Sequence, residues 1–156
     1  MTQPPLCYPH PAGHHLNRPP NSDIHPTAGL TGNWALDFMA PGGTPFLCPQ
    51  DSYVSRVSGH DPSLGEVPPG SSIFGWNIYL QTSGGVIYFA THLGDRTCKV
   101  GQHVKRGDLL GHVGHWPNDE PRSHTHLGVT HPMGKQASVA RIEAVAQAVM
   151  LPFPPL

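Results

Sequence analysis

The residues best placed to do chemistry lie in Ser123-His124-Thr125-His126-Leu127-Gly128-Val129-Thr130. Residue types alternate there with the two-residue period of a strand, so His124 and His126 leave one face while Leu127 and Val129 face a core. Two imidazoles held side by side on a rigid element suit a metal ligand next to an acid/base group. Upstream, Asp37 alternates with Leu36, and His92 closes a β-rich run. A zinc hydrolase needs such a set: Asp and His to hold Zn²⁺, an open position for water, and further imidazoles to move protons. Taken singly, each residue also fits a plain role, as a surface histidine, a capping aspartate or a strand-end histidine. Their order within a β-rich chain is what joins them.

The elements that must position these groups are short strands. Leu36 and Phe38 mark the first, and Pro41-Gly42-Gly43-Thr44 turns the chain. Strands follow at 45–49 and 52–58, then a loop by composition over 59–72, long enough to overhang a site. Phe74 to Gln81 and Val86 to His92 form two strong strands joined by Thr82-Ser83-Gly84-Gly85, a hairpin signal. In the second, alternation groups Val86, Tyr88, Ala90 and His92 on one face, so that the strand ends by presenting His92. Residues 99–114 pair two apolar runs across Lys105-Arg106-Gly107-Asp108, and a polar loop leads into the His124/His126 strand. The period then changes: Val139, Ile142, Ala146 and Val149 form one stripe of a helix over 136–150, ended by the proline-rich tail.

Composition narrows the class. The chain has 156 residues, 18 Gly, 19 Pro and only 12% charged residues, which favours strands and turns over helix. A net charge of −1 gives no broad positive field, so nucleic acid is excluded as a partner. The 12 histidines raise the prior for metal chemistry. Cys7, Cys48 and Cys98 are odd in number and lack Cys-x-x-Cys spacing, which argues against a disulfide framework or a cysteine zinc site. Cys48, within Pro45-Phe46-Leu47-Cys48, reads as a small buried residue. No apolar run approaches the roughly 20 residues of a membrane span. Residues 1–28, rich in Pro and His, read as an extended arm, 29–134 as the domain proper, and 135–156 as a helix and tail.

Ala35-Leu36-Asp37-Phe38, Gly43-Thr44-Pro45-Phe46, Tyr88-Phe89-Ala90-Thr91-His92-Leu93, the phrase from Val100-Gly101-Gln102 to Leu110-Gly111, and His124-Thr125-His126 stand in one order. That order resembles the lysostaphin-like, LytM-type metallopeptidases. The resemblance covers about 30–130 and is most distinctive in the Val100 to Gly111 phrase. It implies a mainly β fold, a small antiparallel sheet with one C-terminal helix. It also implies a Zn²⁺ cofactor, Asp37 and His126 as zinc ligands, and His92 and His124 as the catalytic pair. The implied activity is endopeptidase cleavage of peptide cross-links in bacterial peptidoglycan, which would be the chain's partner.

One departure falls on the implied site. Four positions before Asp37, where the family places a histidine ligand, stands Asn33. An amide oxygen is a poor zinc ligand beside imidazole or carboxylate. Either the domain is a catalytically degenerate structural or wall-binding module, or another group supplies the donor. His25 is the favoured substitute over Asn33, provided that Gly29 and Gly32 let the chain fold back. The opening MTQPPLCYPHPAGHH does not read as a secretory signal. With a wall-directed activity, this leads to the expectation of a phage protein, carried on the virion tail or released at host lysis, with the arm or tail available for assembly with other virion proteins.

Overall fold

The computed structural model describes residues 4–14, 23–59, 75–116 and 119–153. Of the loop expected over 59–72 to overhang the site, residues 60–72 lie outside the described residues, as do parts of the arm and tail. Nine strands and one α-helix are seen among the described residues: β1 (His25–Pro26), β2 (Trp34–Met39), β3 (Pro45–Leu47), β4 (Ser52–Gly59), β5 (Trp76–Gln81), β6 (Ile87–Arg96), β7 (His103–Val104), β8 (Leu109–Val113), β9 (His124–Thr130) and α1 (Lys135–Ala146). The strands form one antiparallel sheet in the order β1-β2-β9-β6-β5-β4-β7, with β8 pairing both β3 and β6. The fold is the mainly β, LytM-type arrangement expected from the sequence.

The strands that matter for function are central. β9 lies between β2 and β6, and its register sets Asp37 against His126, Leu36 against Leu127, and Ala90 against Leu127 on the other side. Cross-strand partners share a face, so Leu36, Phe38, Tyr88, Ala90, Leu127 and Val129 all enter the core while Asp37 and His126 leave the other face. α1 covers the core side through Ser138, Ile142, Val145 and Ala146. This corrects the stripe read from sequence. The helix stops at Ala146 rather than 150, Val139 is only half-buried, and Val149 is exposed beyond the helix end. There the backbone is drawn into a bridge with Cys7, and the Val149 carbonyl accepts from the Tyr8 amide.

The runs of 99–114 also differ from expectation. They are joined by a tight turn, closed by Asp108 N–H to the Lys105 carbonyl, but they do not ladder with each other. β7 pairs β4, whereas β8 pairs β3 and β6, because the turn hands the chain from one sheet edge to another strand set.

The segment read as an arm packs against the core over part of its first described residues. Leu6, Cys7, Tyr8 and His10 are buried, and Tyr8 packs edge-on against Phe38 with ring centroids 5.3 Å apart. The backbone is tied in by Cys7 N–H to the Pro49 carbonyl and Leu47 N–H to the Pro9 carbonyl. Apolar side chains and satisfied backbone groups draw residues 6–11 inward. The three cysteines are free and buried.

His10 gives this core a pH sensitivity. Its Nδ1 donates to the Pro45 carbonyl at 2.9 Å, and burial pushes its pKa down to about 4 against the backbone bonds from Pro45 and Phe38 that favour the charged form. Above the ordinary value near 6.5 both folded and unfolded chains carry a neutral ring, so His10 leaves stability unchanged. As the pH falls below that value the unfolded chain takes the proton first, and stability is lost until about pH 4. The expected loss is of order 3 kcal/mol across the window. Denaturant unfolding at neutral and acid pH should show this loss, and His10→Gln should flatten most of it.

Candidate metal centre and its histidine cluster

β2 and β9 position the first pair. Asp37 Oδ1 lies 3.2 Å from Nδ1 of His126, its cross-strand partner. His124, two residues earlier on β9, brings its Nε2 to 3.7 Å from the same oxygen. His25 arrives from another direction. Residues 25–35 fold as a hairpin in which His25 pairs Ala35, with Gly29 and Gly32 both in the left-handed region at φ +81° and +77°. Those two turns let the chain reverse within a few residues, and His25 Nε2 reaches 3.7 Å from Asp37 Oδ1. His25, Asp37 and His126 present one ligand atom each within 4.8 Å of one another.

The ring orientations of His25 and His124 follow from their other nitrogens. Nδ1 of His25 lies 2.8 Å from the Asp23 carbonyl, and Nδ1 of His124 lies 2.5 Å from the Arg122 carbonyl. A carbonyl only accepts, so in each neutral ring Nδ1 carries the proton and Nε2 keeps its lone pair, facing Asp37. Lone pairs gathered around a carboxylate oxygen repel unless a positive charge sits among them. Tetrahedral zinc with bonds of about 2.0–2.1 Å sets its donors roughly 3.3 Å apart, close to these spacings. The residues therefore fit a divalent cation. Burial pushes the Asp37 carboxyl up, but its contacts with His126, His124 and His25 outweigh burial and hold the group below its ordinary range. A carboxylate kept ionised suits a ligand role.

His92 reaches the site against the alternation of its strand. Tyr88 and Ala90 face the core, so strict alternation would send His92 there too. Instead β6 carries one extra residue: Ile78 pairs Ala90 while Trp76 pairs Leu93. At this bulge His92 takes φ +70°, the single non-glycine residue in the left-handed region among those described. The face reading made from sequence is thereby corrected. Leu93 goes to the core, and the His92 ring lies 4.8 Å from His124 and 6.2 Å from His126. Trp116, which the sequence reading passed over, stacks on His124 at 5.4 Å and 26° and meets His92 edge-on. Its only signal was a large aromatic residue in a polar loop. Thr27, also missed, lies 2.7 Å from Nε2 of His126.

Asn33 stands apart from the donor cluster. It is 1% exposed, its Oδ1 accepts from Thr27 and its Nδ2 donates to Thr130. Beside the cluster runs a groove of about 440 Å³, lined by His25, Thr27, Arg56, Tyr79, Phe89 and His92 among others.

Fold and cluster together define a small antiparallel β domain with a His/Asp/His set at one sheet face, suited to a divalent cation. The description of Peptidase family M23 matches residues 31–139, and the chain belongs to that family. Solved structures agree on the fold. A zinc-containing peptidase from Vibrio cholerae is 22% identical with a TM-score of 0.55, over 80% of this chain and 36% of that one. The catalytic domain of the prophage-encoded M23 protein EnpA from Enterococcus faecalis, solved as a point mutant, is 21% identical with a TM-score of 0.55, over 81% and 88%. Lysostaphin, an antimicrobial peptidase from Staphylococcus simulans, is 19% identical in its solution structure with a TM-score of 0.58, over 95% and 61%. The chain thus spans about a third of the length of the Vibrio protein. No curated protein sequence matches it.

The bulge makes a prediction that separates backbone from side chain. His92→Ala and His92→Gly both remove the imidazole, but only Ala keeps a Cβ in the left-handed region. The Gly variant should be the more stable by about 1 kcal/mol in denaturant unfolding.

Proposed function

We propose that the chain is a zinc-dependent endopeptidase that cleaves peptide cross-links of bacterial peptidoglycan. The observation that carries this reading is the cluster of His25, Asp37 and His126 donors beside the His92–His124 pair. His25, Asp37 and His126 would hold the ion, with His25 taking the place of the ligand that Asn33 cannot supply. Zinc, when bound, brings a water ligand toward neutral pKa and polarises a carbonyl. His124, with Nδ1–H held by the Arg122 carbonyl, has its Nε2 free to take a proton from an attacking water. Trp116 keeps that ring in plane by stacking on it. His92 sits beside it to stabilise the developing oxyanion or to give a proton to the leaving amine. The adjoining open groove suits an extended peptide.

A second reading has one observation in its favour. Asn33 occupies a family ligand position, as it would in a degenerate module that keeps the groove without turnover. A phage setting belongs to the main proposal; the support is that the EnpA domain, of like fold, is prophage-encoded. Clearing of intact cells by the added chain would test action from without.

Zinc content and soluble fragments released from purified walls separate the two readings. The enzyme should hold zinc near one per chain and lose release on chelation, whereas a degenerate module releases nothing. His126→Ala should lose metal and activity together. His92→Ala and His124→Ala should lower release by at least about a hundredfold and keep most of the metal. His25→Ala should weaken zinc binding about tenfold. If His124→Ala emptied the site as fully as His126→Ala, the division of roles would be wrong.

A further inference from the structure

The hairpin that delivers His25 also carries a hydrogen-bond chain to the far side of His126. Thr27 Oγ1 lies 2.7 Å from Nε2 of His126 and donates its proton to Oδ1 of Asn33 at 2.5 Å. At the other end of the amide, Nδ2 donates to Thr130 Oγ1 at 3.1 Å. Thr27 and Asn33 are 7% and 1% exposed, so the chain runs through the interior. Its geometry is fixed by the backbone as well, with Thr27 N–H bonded to the Asn33 carbonyl at 3.0 Å. The strand beneath leaves room for it: a Cβ on Gly128 would sit 1.9 Å from Asn33 Oδ1 and 3.0 Å from Thr27 Oγ1.

A hydroxyl has one proton to give. With that proton committed to Asn33, Thr27 can only accept from His126, so Nε2 must be the N–H of the neutral ring. Nδ1 is then left with its lone pair, and Nδ1 is the atom 3.2 Å from Asp37 Oδ1. The opposite tautomer would place an N–H on Nδ1, closed onto Asp37, and would deny that nitrogen to any cation. We propose that Thr27 and Asn33 are positioning residues that lock His126 in the Nε2–H tautomer and so hold its Nδ1 open for metal. The residue standing at the family's ligand position thus serves the metal from behind a ligand, by fixing the proton on its ring. This rests on the reading of His25, Asp37 and His126 as a zinc site.

Long-range ¹H–¹⁵N spectra of the metal-free, ¹⁵N-labelled chain at mildly alkaline pH read which ring nitrogen of His126 carries the proton. Wild type should show Nε2–H; a dominant Nδ1–H form would overturn the proposal without any variant. Thr27→Val removes the hydroxyl at nearly constant shape. It should move His126 toward Nδ1–H and weaken zinc, read by competition with a chromogenic chelator, by about tenfold to a hundredfold. Thr27→Ser should restore both. Asn33→Ala, which frees the Thr27 proton to point at Nε2, should shift the tautomer in the same direction as Thr27→Val. A folded Thr27→Val that keeps Nε2–H and binds zinc within about threefold of wild type would overturn the proposal. Peptidase activity is not needed for any of these readouts. Zinc binding and the expected tautomer without fragment release would leave this inference standing and remove the endopeptidase reading.

Discussion

The site depends first on the register between β2 and β9, which sets Asp37 directly across from His126. Side chains alternate with period two, so a slip of one residue would send one of the pair into the core among Leu36, Leu127 and Tyr88. The apolar residues therefore enforce the polar pairing: burying Leu36 and Leu127 opposite each other leaves Asp37 and His126 no other place to go. β6 on the far side of β9 locks the same register a second time, through Ala90 against Leu127 and Thr91 against His126. The helix and the N-terminal segment close the core beneath, and their burial keeps the sheet rigid under the site.

Upon that frame, two irregular features supply what regular strands cannot. The bulge at His92 turns one imidazole through the plane of the sheet, at the cost of a strained backbone for a residue with a Cβ. Ala90 and Leu93 both remain in the core because the extra residue absorbs the change of parity. The hairpin over residues 25–35 brings His25 to the edge of the same oxygen from the end of the sheet. Both devices give up conformational freedom to place a histidine, which is where a functional site is expected to depart from ideal geometry.

Asp37 Oδ1 is the point on which these parts converge, with nitrogens of His25, His124 and His126 within 3.2 to 3.7 Å. Carbonyls of Asp23 and Arg122 orient two of the rings from behind, so the outer partners are as much a part of the site as the donors. Trp116 and Phe89 add aromatic walls on either side, Trp116 against His92 and His124 and Phe89 against His126 at 6.2 Å. Such walls exclude water and strengthen the electrostatic coupling among the groups between them.

The sequence by itself determined the strand-rich class, most strand positions, the shared face of His124 and His126, and a buried Cys48, because alternation and turn residues act over a few neighbours. It also carried the ordered phrases that tie the chain to M23 peptidases. What it could not contain was the orientation of His92, since a bulge is a mismatch between two strands and leaves β6 alone looking regular. Nor could it show that residues 6–11 are buried or that the helix stops at Ala146, because the Pro-rich segment has no period and the bridge between Cys7 and Val149 joins distant parts of the chain. The roles of Thr27, Asn33 and Trp116 were equally hidden. Hydrogen-bond partners and stacking distances are set by tertiary contact: His126 meets Thr27 across 99 residues of chain, and no local pattern records that meeting.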